Sequence, residues 1–320
     1  MRIGSLFSGG CGGLELGLER AGVGHVVWQC EIDAAARRNL ARHWPGVKQY
    51  TDVKEMNHGN TERVDVICGG FPCVDLSFAG KGAGLAGARS GLWFEYLRIV
   101  RELRPRFVVI ENVPGLIVRG LDVVLSGLAE SGYDAVWFTL RASDVGATHR
   151  RERLFIVAYR DGDGCEEFGA CKPGDGRDVR REDGEGRAEW HGDVAGRSEN
   201  VGDRDGSRLE GRSVRGCGRA DERPFGAPSP EVGGDFPPGP DDLGGWRRVM
   251  KVAPHLAPAY RNKVGNWTLS PAFTEWHQGF PEGWTQGTRS ERLKQLGNAV
   301  VPQCAEVVGH VLLGLHDRLR

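Results

Sequence analysis

The stretch VDVICGGFPC at residues 64–73 joins an apolar run to a tight loop. An apolar run of this length predicts a strand that is buried on both faces, and open α/β folds bind their ligands at the ends of such strands. Two glycines allow close backbone approach and the proline fixes its own φ, so the loop should present Cys73 on a stiff turn. Cys73 is therefore a candidate nucleophile, and a buried thiol that only packs is an equally common alternative.

Length and composition limit the classes of protein that fit. The chain has 320 residues, enough for one sizeable core and for two domains. Its eight cysteines include no Cys-x-x-Cys pair, and the first residues show no signal-peptide pattern, so a reducing, cytoplasmic location is expected. No apolar run approaches the roughly 20 residues that span a bilayer, so no membrane partner is expected. The formal net charge of -1 means that any nucleic-acid site has to be a local basic patch.

A glycine-rich turn follows the first predicted strand. Residues 3–7 predict a strand, SGGCGG at residues 8–13 predicts a turn, and a helix with an apolar face comes next. This order is typical of nucleotide-binding folds, although such turns also serve as plain connections. The next strand, residues 25–30, ends at Glu31, at the spacing where an acidic residue often binds ribose hydroxyls. The pattern fits the adenosine of NAD and of S-adenosylmethionine equally, and a solvated carboxylate at a helix start is the alternative for Glu31.

Glu111 follows another apolar run, residues 107–110, which predicts a strand covered on both faces. A carboxylate at the mouth of a buried strand is costly unless it has a partner or a function. Glu111 should therefore share the ligand crevice with Cys73.

Two arginines precede the predicted strand at residues 154–159. Arg151 and Arg153 should point the same way if Arg153 begins this strand, because side chains alternate along a strand. Two guanidinium groups beside a thiol and a carboxyl would favour the ionised forms of both.

Two segments are unusually rich in glycine. The first follows Cys73, and its Lys81 and Arg89 could contact phosphates, although plain flexibility also explains the glycines. The second, residues 160–240, has many charges and few apolar residues, so loops and partial disorder are expected. Its cysteines at 165, 171 and 217 match no zinc-ligand spacing, so no metal site is expected.

The final helix has an apolar stripe that should pack on the first domain, formed by Val307, Val308, Val311, Leu312 and Leu315.

Taken in order, these segments resemble the cytosine-C5 DNA methyltransferase family, of bacterial or phage type. The matching segments are residues 6–13, 31–33, 52, 69–77, 111–113, 151–155, 279–281 and 297–302. The resemblance implies an α/β, Rossmann-like class I methyltransferase fold with a mixed, doubly wound sheet. It implies an S-adenosylmethionine-binding catalytic domain at residues 1–159 and 285–320, and a small, irregular target-recognition region at residues 160–284.

The resemblance also implies a reaction. A methyl group would pass from S-adenosylmethionine to C5 of a cytosine flipped out of double-stranded DNA. Cys73 would add covalently to C6, Glu111 would donate a proton toward N3, Arg153 would hold O2, and Arg151 would help fix Glu111 and the thiolate. An RNA cytosine-C5 methyltransferase and a non-catalytic DNA-binding relative are the alternatives. An NAD-dependent dehydrogenase fits the glycine turn but leaves Cys73 and Glu111 without a role. A monomer is expected, with a cognate restriction endonuclease as a possible partner.

The family pattern assigns Glu31 to the ribose hydroxyls and Asp52 to the adenine amino group. The full set of cofactor residues that it implies is Phe7, Ser8, Gly10, Gly12, Gly13, Glu31, Ile32, Asp52, Val53, Gly69, Pro72, Leu92, Asn298 and Val300. Ser77 and Arg89 match loop positions that contact DNA phosphates, and Lys81 lies between them.

Three positions depart from the family pattern. The glycine turn has one extra residue, so either Phe7 or Ser8 would face the adenine. Val74 and His149 replace glutamines that support the nucleophile and the acid. An altered rate or loop behaviour is expected from these replacements, and not a loss of activity.

Overall fold

A seven-stranded sheet forms the centre of the protein. The computed structural model describes residues 1–72, 91–160, 234–262 and 264–320. The strands are β1 Arg2–Leu6, β2 His25–Cys30, β3 Lys48–Tyr50, β4 Val66–Gly69, β5 Phe107–Asn112, β6 Asp134–Arg141 and β7 Glu152–Tyr159. Their spatial order is β3-β2-β1-β4-β5-β7-β6, in which the first five are parallel and β7 runs antiparallel to both neighbours. The predicted mixed, doubly wound sheet is confirmed.

Nine α-helices and one small hairpin complete the described part of the chain. The helices are α1 Gly13–Arg20, α2 Ala34–His43, α3 Leu92–Leu103, α4 Leu116–Arg119, α5 Leu121–Glu130, α6 Leu243–Val252, α7 Pro271–His277, α8 Arg289–Asn298 and α9 Pro302–Arg318. The hairpin pairs β8 Ala259–Arg261 with β9 Trp267–Leu269. The sequence predicts helices at residues 34–43 and at residues 92–103, where apolar residues recur at helical spacing and Pro105 follows, and both bounds are confirmed. Asp33 starts α2 because its side chain accepts hydrogen bonds from the backbone N–H groups of Ala35 and Ala36.

The core lies on both faces of the sheet because side chains alternate along each strand. On β5, Phe107 and Val109 face one side, where α1 and α9 pack. Val108 and Ile110 face the other side, where α3 and α5 pack. All four side chains are fully buried, which contributes about 1.5–3 kcal/mol for each relative to exposure.

The packing of α9 partly differs from the predicted stripe. Of the five predicted residues only Val308 and Leu312 are buried, and Val307 is 37% exposed. The helix instead approaches α1 through small residues. A Cβ added to Gly17 would lie 2.3 Å from the Cβ of Ala305, and one added to Gly309 would lie 2.5 Å from that of Ala21. Close backbone approach at these small side chains therefore sets the rotation of α9, which the positions of its large apolar residues did not predict.

Residues 234–284 form a smaller apolar cluster. Val249, Leu256 and Trp276 are buried in it, and Trp246 packs against them. The described residues all belong to one compact unit, Met1–Asp163 with Arg223–Arg320, whereas the other unit, Gly164–Glu222, lies outside them. The division into a catalytic domain and a target-recognition region stays a prediction. The three cysteines at 165–217 also fall outside the described residues, as do residues 161–233 of the segment expected to be partly disordered. The described residues 234–240 of that segment form bends and a loop before α6.

One stretch of the described chain, Arg289–Arg318, is long and apolar enough to cross a membrane. It comprises α8 and α9, and more than half of its most apolar part is buried inside the protein. A buried core helix meets the same criterion, so the stretch is weak evidence for a membrane span.

Candidate active site

A cavity of about 380 Å³ opens at the carboxyl ends of β1, β2 and β4. Ligands of open α/β sheets bind at this edge, where the strand order reverses. The walls come from the glycine turn, the end of β2, residues 51–53, the start of the Pro-Cys loop and the turn after α8. All of the predicted cofactor residues except Gly10 line the cavity.

The glycines of the turn are required because neighbouring residues lie too close to leave room for a side chain. Gly12 has a φ of 59°, and a Cβ added there would lie 2.4 Å from the ring of Trp44. A Cβ added to Gly13 would lie 2.0 Å from the backbone oxygen of Val300. Gly10 instead lies beneath the side chain of Gln295 on α8. The glycine turn is therefore packed between α2, α8 and the turn after α8, and Gly10 contributes to this packing.

Two side chains that the sequence analysis missed hold this turn. Asn39 on α2 donates to the backbone oxygen of Gly10 at 2.7 Å, and the indole of Trp284 donates to that of Cys11 at 2.8 Å. The ring of His43 stacks on Trp284 with centroids 3.6 Å apart. Asn39 lies on the buried face of α2 beside Leu40, and a polar residue at such a position was the available signal.

The two predicted carboxylates lie on one wall. Glu31 accepts hydrogen bonds from the backbone N–H groups of Gly9 and Asp33, at 2.9 and 2.8 Å. The side chain of Asp52 accepts a hydrogen bond from the backbone N–H of Lys54 at 2.9 Å. A carboxylate has about four acceptor positions, so both retain capacity for a ligand. Asp33 caps α2 and pairs with Lys294 at 2.9 Å, so it is this residue that stabilises the helix start.

Apolar side chains lie at the same end of the cavity. Ile32 lines the cavity and is 75% exposed. Phe7 and Ser8, the alternatives of the sequence analysis, both line it. The ring of Phe7 lies nearly parallel to that of Tyr96, with centroids 6.3 Å apart, whereas the hydroxyl of Ser8 donates to Ser5. Phe7 therefore offers a flat ring and Ile32 an exposed aliphatic side chain, and Ser8 contributes to a polar floor.

Glu111 lies where β5 ends and lines the cavity. Its Oε1 pairs with Nε of Arg153 at 3.0 Å, and its side chain is 14% exposed. Burial raises the pKa of Glu111 above its usual value, and the positive charges of Arg153 and Arg151 oppose this rise. A Cβ on Gly70 would lie 2.6 Å from Oε2, so only glycine leaves the carboxyl its space. The site thus holds a carboxyl group that can keep a proton while facing the cavity.

Arg151 connects the same site to the end of α8 and the turn after it. One of its terminal nitrogens donates to the backbone oxygens of Gly297 and Ala299, both at 2.7 Å. The predicted common direction of Arg151 and Arg153 rested on strand alternation. However, β7 begins at Glu152 and Arg151 has a φ of 20°, so it precedes the regular strand. Arg151 therefore acts on Glu111 by its charge, while Arg153 contacts the carboxyl directly.

The start of the Pro-Cys loop is fixed in the core. Phe71 packs on Trp93 with ring centroids 5.2 Å apart. The side chain of Asn112 donates to the backbone oxygen of Phe71 at 3.0 Å, a role that the sequence analysis did not assign. Pro72 lines the cavity. The candidate nucleophile Cys73 and the predicted DNA contacts Ser77, Lys81 and Arg89 lie outside the described residues.

His149, one of the departures from the family pattern, contacts α7. Its Nε2 donates to the backbone oxygen of His277 at 2.7 Å, and the two rings lie 4.2 Å apart. Burial lowers the pKa of both imidazoles, that of His277 to about 4, so the pair is neutral at neutral pH. Position 149 therefore ties the arginine segment to α7.

Known proteins similar to this chain include several methyltransferases. The family model described as C-5 cytosine-specific DNA methylase matches residues 1–182. The Type II methyltransferase M2.BsuMI of Bacillus subtilis (strain 168) is 36% identical over 166 residues, which cover 49% of this chain and 42% of the relative. M.HhaI of Haemophilus parahaemolyticus is 32% identical over 177 residues, 54% of this chain and 53% of the relative. The chain thus spans about half of the length, or less, of the curated relatives that it matches.

Solved structures show the same fold. The S. pombe Dnmt2 methyltransferase aligns over 98% of this chain and 99% of its own, with a TM-score of 0.56 and 14% identity. The Entamoeba histolytica methyltransferase EhMeth aligns over 100% and 99%, with a TM-score of 0.57 and 16% identity. These identities support the fold alone. Since the family model covers more than half of the 320 residues, the chain belongs to the C-5 cytosine-specific DNA methylase family.

Proposed function

We propose that this protein is a DNA (cytosine-5-)-methyltransferase that takes its methyl group from S-adenosylmethionine. The observation that carries the proposal is the Glu111–Arg153 pair, whose carboxyl group lines the cavity beside the anchored start of the Pro-Cys loop. A carboxyl with a raised pKa and a fixed guanidinium match the polar edge of cytosine, which offers acceptors at N3 and O2.

The cavity fits the cofactor by the chemistry of its walls. Glu31 would accept hydrogen bonds from the ribose hydroxyls, and Asp52 would accept one from the adenine amino group. Phe7 and Ile32 would contact the faces of the purine. Gly12, Gly13, Asn298 and Val300 would enclose the methionyl end. When bound, S-adenosylmethionine supplies an electrophilic methyl group.

The protein side chains would activate the cytosine. The thiolate of Cys73 forms a bond to C6, and the electrons of the C5–C6 double bond move toward N3 and O2. Glu111 donates its proton at N3 while Arg153 holds O2, so C5 becomes nucleophilic enough to take the methyl group. Once C5 carries the methyl group, N3 returns its proton to the carboxylate of Glu111 and the C5 proton passes to water. The electrons of the C5–H bond reform the double bond, the C6–S bond breaks, and Cys73 leaves as a thiolate. The base has to leave the duplex to reach these groups, so base flipping is part of the proposal.

A basic segment supports nucleic acid as the substrate. Residues 243–270 contain no Asp or Glu, and their basic residues include Arg247, Arg248, Lys251, Arg261 and Lys263. Trp267 is 68% exposed, with the guanidinium of Arg261 over its ring at 5.2 Å from the centroid. Exposed cations beside an exposed aromatic ring are typical of surfaces that bind nucleic acid. Because the whole chain has a formal net charge of -1, a local basic segment of this kind is needed to bind the phosphates.

The double substitution Arg247→Ala/Arg248→Ala should weaken binding to duplex DNA by about tenfold at low salt, because each arginine that neutralises a phosphate releases bound counterions. The slope of log affinity against log salt should also fall by about 1 for each phosphate that is no longer neutralised. Fluorescence anisotropy with a labelled duplex measures both quantities. Arg20→Ala/Arg318→Ala removes the same charge from exposed positions on α1 and α9 and is the matched control. Equal weakening in both variants would contradict a specific role of the basic segment.

Expression in a bacterial host without cytosine methylation should place 5-methylcytosine at one short sequence of the host DNA. Bisulfite sequencing of that DNA, together with methyl transfer assays on duplex DNA and on transfer RNA, tests the proposal. Transfer to RNA alone would replace the proposal with an RNA cytosine methyltransferase. Cofactor binding without transfer to either would favour a non-catalytic DNA-binding relative.

The setting of the enzyme is also part of the proposal. We propose a cytoplasmic monomer that acts beside a cognate restriction endonuclease, since the curated relatives are named Type II methyltransferases. Methylation of one short sequence would agree with such a pair. Sedimentation of the purified protein tests whether it is a monomer in solution.

A further inference from the structure

A buried carboxyl group forms part of the cavity floor and has no role in the reaction above. Glu15 on α1 lines the cavity, and the residue is 1% exposed. Its Oε1 accepts a hydrogen bond from the hydroxyl of Ser5 on β1 at 2.6 Å. The hydroxyl of Ser8 donates to Ser5 at 2.8 Å. The carboxyl group is thus fixed by hydroxyls from two segments of the cavity wall.

Among the described residues, Glu15 has no compensating positive charge beside it. Its titratable neighbours are Glu19 on the same helix and the thiols of Cys11 and Cys68. In the described part of the chain, no lysine or arginine forms a salt bridge with it. Burial raises the pKa of Glu15 to about 7, with a small further rise from Glu19, while the hydrogen bonds from Ser5 and Ser8 oppose the rise. A buried carboxylate is costly unless a cation accompanies it, and the described residues supply none.

The position of Glu15 indicates where that cation comes from. The cavity that it lines is the proposed cofactor site, and Glu15 lies in the first turn of α1, next to the glycine turn that would enclose the methionyl end. S-adenosylmethionine carries a permanent positive charge on its sulfonium and another on its amino group. The product, S-adenosylhomocysteine, has a neutral thioether in place of the sulfonium.

We propose that Glu15 is the counter-ion of the cationic methionyl end of the methyl donor, and that it makes the site prefer the donor over the demethylated product. The proposal rests on the proposed function. Attraction between the carboxylate and the sulfonium exists only before methyl transfer, so the same contact that retains the donor would let the product leave. Glu15 is then a specificity-determining residue, distinct from the groups that contact cytosine.

Binding of the donor should be linked to the protonation of Glu15. A cation beside the carboxyl lowers its pKa, so a group with a pKa of about 7 in the free protein loses its proton when the donor binds near neutral pH. The affinity for the donor should therefore rise between about pH 6 and pH 7.5, and each binding event at about pH 6.5 should release a fraction of a proton. Product binding should release fewer protons, because its sulfur is uncharged.

Isothermal titration calorimetry with S-adenosylmethionine and S-adenosylhomocysteine tests this proposal. Titrations at about pH 6.5 in buffers of different ionisation enthalpy give the number of protons released. Glu15→Gln should lose about tenfold in affinity for the donor and much less for the product, and its proton release should disappear. Glu15→Asp keeps the charge and should retain part of the preference. Glu19→Gln, one helical turn further along α1, is the matched control and should retain the wild-type preference.

The outcomes separate the two proposals. Equal affinity losses for donor and product in Glu15→Gln, or unchanged proton release, would overturn the counter-ion role and leave Glu15 as a structural group. Thermal melting shows whether a variant is folded, and a folded Glu15→Gln with the wild-type preference also overturns the role. A wild-type protein that binds neither ligand would instead overturn the proposed function itself. A loss of the preference at retained product affinity supports the counter-ion role.

Discussion

The variant Cys73→Ala should form no covalent adduct with DNA and should lose methyl transfer by at least about a thousandfold, since removal of a covalent nucleophile leaves only binding and polar catalysis. The measurement is trapping with a duplex that contains 5-fluorocytosine at the target base. Fluorine at C5 cannot leave as a proton does, so the bond between sulfur and C6 persists and the complex migrates as one species on a denaturing gel. Wild-type protein should give this species only with S-adenosylmethionine present.

The expectation for Cys73 rests on residues immediately before it. Phe71 is packed between aromatic rings of α3, and its backbone oxygen is held by Asn112. Pro72 lines the cavity, and Glu111 lies across Gly70. The chain therefore reaches position 73 from a fixed point at the cavity edge.

Cys304→Ala is the matched control for the trapping experiment. Cys304 is buried on α9, and burial raises the pKa of its thiol to about 12, so it has almost no thiolate at neutral pH. This variant should trap DNA as the wild type does. An adduct that persists in Cys73→Ala would show that another thiol attacks, and would remove Cys73 from the mechanism.

The second large effect is expected for Glu111→Gln, which should lower the rate of methyl transfer by about 10²–10⁴-fold. Glutamine keeps the shape of the side chain and can donate a hydrogen bond, but it has no proton to transfer to N3. It also removes the charge that Arg153 contacts at 3.0 Å. Single-turnover methylation of a duplex with tritiated S-adenosylmethionine measures the chemical step.

The pH dependence gives a second measurement on Glu111. Burial raises the pKa of this carboxyl, and only its protonated form donates. The wild-type rate should therefore fall as pH rises through this pKa, and Glu111→Gln should lose that dependence. Glu152→Gln, which removes a carboxylate that pairs with Arg141 and Arg150, is the control and should keep both the rate and the pH profile. A wild-type rate in Glu111→Gln would contradict the proposed proton donor.

Much of the fold followed from local sequence patterns. Apolar runs predicted β1, β2, β4, β5 and β7 near their observed positions, because strands covered on both faces need apolar side chains on both. The bounds of α3 followed from helical spacing and from Pro105. In contrast, α6, α7 and the β8–β9 hairpin were not predicted, because their apolar patterns are short and lie among glycines and aromatics. The helices α6 and α7 are instead stabilised by the cluster around Trp276.

Local sequence was sufficient to establish the order of the motifs, the glycine turn, the candidate nucleophile and the acidic residues at strand ends. Which distant side chains meet depended on tertiary packing, as for Trp284 on the glycine turn, Arg151 on the turn after α8, and Glu15 with Ser5 beneath the cavity. Periodicity and spacing follow from the geometry of the local backbone, so they can be recognised in the sequence without knowing where the segment lies in the fold. Burial without a counter-ion, as at Glu15, depends on how β1, α1 and the turn pack together, and no local pattern carries that information.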